Sequence, residues 1–227
     1  MKKRTMLLAV IASLLLVTGC SGNQSDTAPT EQAQDIKVNQ IDLTAELKLT
    51  EQAVIGKTTL AQMEKTYGSA VEKKTIKSNF RTNLKAENGP NPEVEQEIAF
   101  IKINPVTGAK WNKAYPLYFT KTADPTLVAA QVMLKRGDLM KKLETEKQLS
   151  LEDVKKVYGA PTRDLGRVLE YYDFNNKAVL HVILTDNNQI STMLTHYGLL
   201  YADKPEDMIE NENIIKRLSQ EKGSASK

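Results

Sequence analysis

Thr59-Leu60-Ala61-Gln62-Met63-Glu64-Lys65-Thr66-Tyr67-Gly68 and Ser150-Leu151-Glu152-Asp153-Val154-Lys155-Lys156-Val157-Tyr158-Gly159 are two versions of one ten-residue pattern. Each opens on a hydroxyl residue suited to cap a helix N-terminus. Gln62 or Asp153 follows three positions later, as in a capping box, although Asp is a less usual partner than Glu. Apolar residues recur at helical spacing (Leu60, Met63, Tyr67; Leu151, Val154, Tyr158), and a glycine stands where each helix would stop. An internal repeat of this kind predicts a chain folded from two similar units.

Working outward, a shorter helical pattern precedes each copy, beginning near Asp42-Leu43 and near Asp138-Leu139. Each half therefore opens as helix, loop, helix. Strands follow. In the second half, residues 167–174 and 177–184 flank Asn175-Asn176, a two-residue hairpin signal, and Asp186-Asn187-Asn188 turns the chain into a third strand over 190–197. The first half offers strands over 94–103, 115–120 and 127–134. The fold class expected is α+β, as two tandem units of helix-loop-helix plus antiparallel β-meander.

Hairpin register sorts the second sheet into two faces. Pairing 174 with 177 sets His181 opposite Glu170. The next hairpin gives one apolar face when Leu184 lies opposite Ile190 and Leu180 opposite Leu194. Leu169, Tyr171, Ala178, Leu180, Val182, Leu184, Ile190 and Leu194 then face the helices. Glu170, Tyr172, Phe174, Lys177, His181, Met193 and Tyr197 fall on the other face. Aromatics mixed with charges and a methionine make it a candidate protein-binding surface. The competing reading is that this face packs against the first unit or the C-terminal helix. Trp111, the only tryptophan, is a candidate anchor or a core residue.

The halves differ mainly over residues 69–93, a charged segment with Asn88-Gly89-Pro90, expected as an exposed excursion. Past the second unit, Asp203-Lys204-Pro205-Glu206 reads as a helix start, with Met208, Ile215 and Leu218 on one face before a Gly-Ser-Ala-Ser tail.

At the other end, Lys2, Lys3 and Arg4 precede an apolar run over residues 6–17, and Val17-Thr18-Gly19-Cys20 follows. The run is too short for the roughly 20 residues that span a bilayer. The tetrapeptide resembles the lipobox of bacterial lipoproteins. That resemblance implies cleavage before Cys20 and a diacylglycerol on its sulfur, which suffices to anchor a protein. Residues 1–19 are then a signal peptide. Residues 20–38, polar and without aromatics, form a flexible linker of the kind seen in lipoproteins of single-membrane, Gram-positive bacteria. Domain boundaries follow: 39–136 for the first unit, 137–202 for the second, and 203–227 for the C-terminal helix and tail. The expected location is the extracellular face of the cell membrane.

Removing Lys2, Lys3 and Arg4 from the 31 basic residues leaves 28, against 28 acidic ones. A neutral mature chain has no general field to collect nucleic acid or anionic lipid. The lone cysteine is taken up by lipid, leaving no thiol for a disulfide, metal or nucleophile.

The helix pair, the Leu151 to Pro161 run (Leu-x-x-Val-x-x-x-Tyr-Gly-x-Pro) and the three-stranded meander, used twice, resemble the β-lactamase-inhibitor-protein-like fold. BamE-like small outer-membrane lipoproteins share the unit in single copy. The resemblance spans residues 42–200. The first copy departs from it, with Met63 for Val and no proline after Gly68. It implies binding of another protein through the sheet, without a catalytic centre, and it carries over no contact residues.

Gly56-Lys57-Thr58-Thr59 resembles the end of a phosphate-binding loop, but that motif requires glycine at position 51, which is Glu51. The fragment reads instead as a loop leading into a helix cap. The two histidines, His181 and His196, fall on opposite faces in the chosen register and cannot share a metal. No cofactor, metal site or nucleophile is indicated. The function expected is a non-enzymatic protein-binding or scaffolding module whose partner is an envelope protein or a cell-wall component. The alternative is a solute-binding lipoprotein delivering a small ligand to a transporter, for which alternating strand-helix units around a hinge would be expected.

Overall fold

Thr59 and Ser150 close full capping boxes. The Thr59 side chain accepts from the Gln62 amide while Gln62 accepts from the Thr59 amide. Ser150 and Asp153 do the same. These caps open α2 (Leu60–Tyr67) and α4 (Leu151–Tyr158). Gly68 and Gly159 end them at φ 99° and 80°, each donating its N–H to a carbonyl of the last turn. A residue with a Cβ rarely takes that conformation, so the helix stops are set by glycine. The Lys142 ammonium and the Ser150 cap hold the Asp153 carboxyl well below the usual carboxylate range. Lys142 sits on α3 (Leu139–Glu146), 2.6 Å from Asp153, so the same carboxylate caps α4 and ties α3 to it.

The computed structural model describes residues 38–78, 93–104, 109–146 and 148–224. The expected signal peptide 1–19, Cys20, the linker to residue 37, most of the excursion including Asn88-Gly89-Pro90, and the last three residues lie outside that set. Among the described residues no helix is long and apolar enough to cross a membrane.

The class is α+β. The first half starts with a single helical turn, α1 (Thr44–Leu47), and a small hairpin of β1 (Lys48–Thr50) and β2 (Ala53–Val54) occupies the expected loop before α2. Eight described strands form one antiparallel sheet. In chain order they are β3 (Glu72–Ser78), β4 (Val94–Ile103), β5 (Lys110–Thr120), β6 (Leu127–Ala130), β7 (Arg163–Asp164), β8 (Val168–Asp173), β9 (Ala178–Leu184) and β10 (Ile190–His196). Their spatial order is β3-β4-β5-β6-β10-β9-β8-β7. Two meanders thus meet at their last strands, where Leu194 pairs with Ala130 and Thr195 with Ala129.

The hairpin registers are those the sequence predicts: Glu170 opposite His181, Leu184 opposite Ile190 and Leu180 opposite Leu194. The excursion differs from expectation, because its start forms β3, paired along its whole length with β4. Its described side chains are exposed on both faces apart from half-buried Ile76. It therefore lacks the apolar alternation by which a strand is recognised. The third strands are also shorter than expected, and Tyr197 leaves β10 to open α5 (Tyr197–Leu200). The C-terminal helix, α6 (Pro205–Ser224), begins where the proline predicts.

The middle strands of the sheet are buried on both faces. On one, Ile101, Leu117, Phe119, Tyr171, Leu180 and Leu194 pack with Leu43, Met63, Tyr67, Val154 and Tyr158 of the helical layer. On the other, Val128, Tyr172, Phe174 and Val179 pack with Tyr197, Leu200, Tyr201 and Ile215. Several contacts bind the beginning of the domain to its second half. Ile41 N–H donates to the Tyr172 carbonyl at 3.1 Å, Leu43 N–H to Asp173 Oδ2 at 2.8 Å, and Thr162 Oγ1 to the Asn39 carbonyl at 2.6 Å. Fully buried Glu46 accepts from Arg136 Nε at 2.6 Å, Arg136 Nη2 at 3.0 Å and Tyr158 Oη at 3.1 Å.

This triad makes an asymmetric prediction. Arg136→Ala strands a buried carboxylate and should cost about 3 kcal/mol. Glu46→Ala leaves an arginine already 30% exposed and able to turn to water. Its cost should be smaller, about 1–2 kcal/mol, from the Tyr158 hydroxyl left without an acceptor. Urea unfolding of both variants measures the difference, and equal costs would discount the triad.

Candidate functional site

The face proposed from sequence for partner binding is interior. Tyr172 and Tyr197 are fully buried, Glu170 likewise, and Phe174 and His181 nearly so; Lys177 and Met193 are half-buried. The helix α6 covers this face, with Ile215 and Met208 turned to the aromatics. The charges that made the face look like a docking surface find their partners within the chain. Arg163 Nη1 donates to Glu170 Oε2 at 3.0 Å, both side chains being buried. Lys177 Nζ and the Tyr197 hydroxyl both donate to Glu212 Oε1, at 3.0 and 2.9 Å. Burial, with Glu212 beside it, pushes the Tyr197 hydroxyl well above the ordinary tyrosine range. The aromatic residues of this face pack with the C-terminal helix and with Val128 and Tyr118 of the first half.

His181 Nε2 lies 3.6 Å from Glu170 Oε1, too far for a hydrogen bond, and is buried without a hydrogen-bond partner among the described residues. With Glu170 already engaged by Arg163, the cluster reads as a structural ion pair with a histidine beside it. Among the described residues no three His, Cys, Asp or Glu side chains converge as metal ligands do. His196 lies on the opposite face, as the register requires, and its Nδ1 accepts the Leu199 N–H at 3.2 Å to cap α5. A Cβ on Gly56 would come within 2.5 Å of this ring. Gly56 is thus a packing partner of His196, while Thr58 accepts from the Val54 amide and Thr59 caps α2. The Gly-Lys-Thr-Thr fragment is fully occupied by structure.

A candidate site that the sequence reading missed lies where the chain leaves β6. There residues 132–134 run beside β10, and the Thr192 hydroxyl donates to the Val132 carbonyl. Across from them stand α3 and the β9–β10 turn. Between these parts is a cleft of about 280 Å³, walled by Met133, Met140, Leu143, Leu149 and Ile190 and rimmed by Gln148, Asn188 and Gln189. Its four long apolar walls, Met133, Met140, Leu143 and Ile190, are only half-buried. Among the described residues no charged side chain lines it, although 26% of the chain is charged. By contrast, a hollow of about 320 Å³ beside the start of β4 is lined by Glu93, Glu95, Lys121, Asp203 and Lys204 among others. Such a cleft suits an uncharged, largely apolar group, with methionines that adapt to its shape and rim amides that can bond a backbone or a hydroxyl. No local motif announces it, because the stretch from Val132 to Leu149 meets residues 188–192 from the far side of the second meander to build it.

The His196 cap yields a pH dependence. Burial lowers the imidazole pKa in the folded state, and Nδ1 can accept Leu199 N–H only when unprotonated. Below the unfolded value of about 6.5 the unfolded chain therefore binds the extra proton, and stability falls as pH falls. His196→Asn, which keeps a capping acceptor but does not titrate, should flatten the slope of stability as pH falls below about 6.5. Parallel profiles for variant and wild type in urea titrations would count against this role.

Compared with known proteins, the chain matches no family model, no curated protein and no solved structure.

Proposed function

We propose that the protein is a lipoprotein, anchored through Cys20 to the extracellular face of the cell membrane. In this reading its α+β domain is a non-enzymatic module that binds an apolar segment of another envelope protein. The observation that carries the binding reading is the cleft between α3, residues 132–134 and β10, whose described lining is apolar with an amide rim. Its size admits one or two apolar side chains, and its rim offers amides to the backbone that bears them.

The anchoring part rests on the basic start, the short apolar run and Val17-Thr18-Gly19-Cys20. The non-catalytic part draws on how the buried carboxylates are used. Glu46 and Glu170 hold arginines, Glu212 holds Lys177 and Tyr197, and Asp173 accepts from the amides of Leu43 and Asn176. Each is committed to hydrogen bonds within the fold, Asp173 doing so at the edge of a hollow it shares with Asp42 and Asn176. The two halves are, in the same proposal, tandem copies of one helix-sheet unit. Both carry an eight-residue helix with a complete capping box, a buried final tyrosine and a glycine stop, and in both the last strand of the meander lies at the middle of the sheet. The solute-binding alternative is weaker, because the described sheet is antiparallel throughout, without the alternating strand-helix units that such a cleft uses.

Two measurements test the reading. Cys20→Ser should move the protein from the detergent phase to the aqueous phase on phase partition of cells; unchanged partition removes the anchor. A photoreactive residue at Met140 should capture one defined envelope protein in intact cells, with capture abolished by Leu143→Glu, one turn further along α3. Crosslinks to a small molecule alone would favour the solute-binding alternative, and no crosslink at all would remove the cleft as a binding site.

A further inference from the structure

Residues 98–123 contain Lys102, Lys110, Lys113 and Lys121 but no Asp or Glu, a segregation of charge in a domain otherwise balanced. The structure concentrates three of them at one end of the β4–β5 ribbon. Ile101 pairs with Tyr115, but Ile103 pairs with Lys110. Trp111, Asn112, Lys113 and Ala114 of β5 therefore stand opposite the single residue Lys102. Bulges re-aim side chains and end regular packing, and here all four bulged residues and Lys110 are exposed. Trp111 is 38% exposed and belongs to neither core cluster. The Lys113 ammonium lies 5.7 Å from its ring centroid. Lys102, Lys110 and Lys113 take part in no ion pair among the described residues.

We infer that this bulge is a membrane-contact site, at which Trp111 enters the headgroup region of an anionic bilayer while Lys102, Lys110 and Lys113 engage lipid phosphates. A tryptophan is the side chain best suited to the interface, with an apolar ring and one N–H donor. Unpaired lysines beside it are drawn to an anionic leaflet. Nothing in the fold requires the ring to be here, since it packs no core. The inference rests on the proposed lipid anchor, which would keep the domain at a bilayer so that a weak contact is populated by local concentration.

Trp111 is the only tryptophan, so its emission reports this site alone. The full-length lipoprotein, reconstituted into vesicles containing brominated phosphatidylglycerol, should show blue-shifted and quenched emission. In brominated phosphatidylcholine vesicles the emission should match that in detergent. Combined Lys102→Glu, Lys110→Glu and Lys113→Glu should return it to the neutral-vesicle level, as should high salt. If that variant loses its far-UV circular dichroism, Lys110→Gln with Lys113→Gln serves instead. Identical emission in both lipids, or quenching indifferent to these substitutions, overturns the inference. So does a shift produced by soluble polyglycerol phosphate and not by vesicles, which would assign the bulge to a wall polymer. Failure of the anchor is read separately, as loss of flotation with neutral vesicles.

Discussion

The pairing of β6 with β10 is the contact on which the rest of the domain depends. It is a short ladder, Leu194 with Ala130 and Thr195 with Ala129, yet it converts two meanders into one sheet. The small side chains of Ala129 and Ala130 are buried there, so the neighbouring layers can close over the junction. Once it forms, Leu117 and Phe119 from one half and Leu180 and Leu194 from the other share a single core under the helices. Without it, each half would expose the flank of its innermost strand, a row of unpaired backbone groups next to apolar residues. A chain without disulfides cannot leave such an edge open, and the junction is reinforced from elsewhere. Thr192 bonds the Val132 carbonyl beyond the end of β6, and Arg136 clamps Glu46 and Tyr158.

The junction also accounts for the candidate site. Because β6 ends at Ala130 while β10 begins at Ile190, opposite Leu184, the start of β10 outruns its partner strand. The space beside it is taken up by residues 132–134 on one side and by α3 on the other. These fill it incompletely, and the cleft is the remainder. Its apolar lining is a consequence of position: its walls continue the core that lies below. The bulge in β5 is a different matter, since it interrupts a regular pairing at the ribbon's free end, where no packing demands it.

How much of this could be read from the chain depends on the range of the forces involved. Capping boxes and glycine stops act within four residues, and Thr59, Ser150, Gly68 and Gly159 announced α2 and α4. Hairpin register acts across a turn, so Asn175-Asn176 was enough to set Glu170 against His181. What could not be read was decided at long range. Arg136 reaches Glu46 across ninety residues, and nothing local distinguishes it from a surface arginine. Tyr172 and Phe174 looked like a docking face because the helix that covers them arrives some forty residues later, its apolar stripe interrupted by Asn211 and Glu212. β3 was invisible for the opposite reason: both its faces meet solvent, so nothing in its side chains records that its backbone is paired.

A core face mistaken for a binding face carries its own lesson about where this protein can act. Aromatic residues among charges signal an interface, and this one is internal: α6 meets the sheet through Glu212 and Lys216 as well as Ile215, with the Lys216 ammonium 4.7 Å from the Phe174 ring. The interior is thereby closed on both sides, and recognition has to use what the core leaves outside. Such remainders are small. A cleft for one or two side chains, or a ribbon end with one tryptophan, buries too little surface to hold a freely diffusing partner tightly. A tether changes that arithmetic, because a domain confined near its partners meets each of them at an effective concentration in the millimolar range. Modest, reversible contacts are then sufficient, and the proposed lipid anchor and the small size of the exposed sites are two parts of one physical argument.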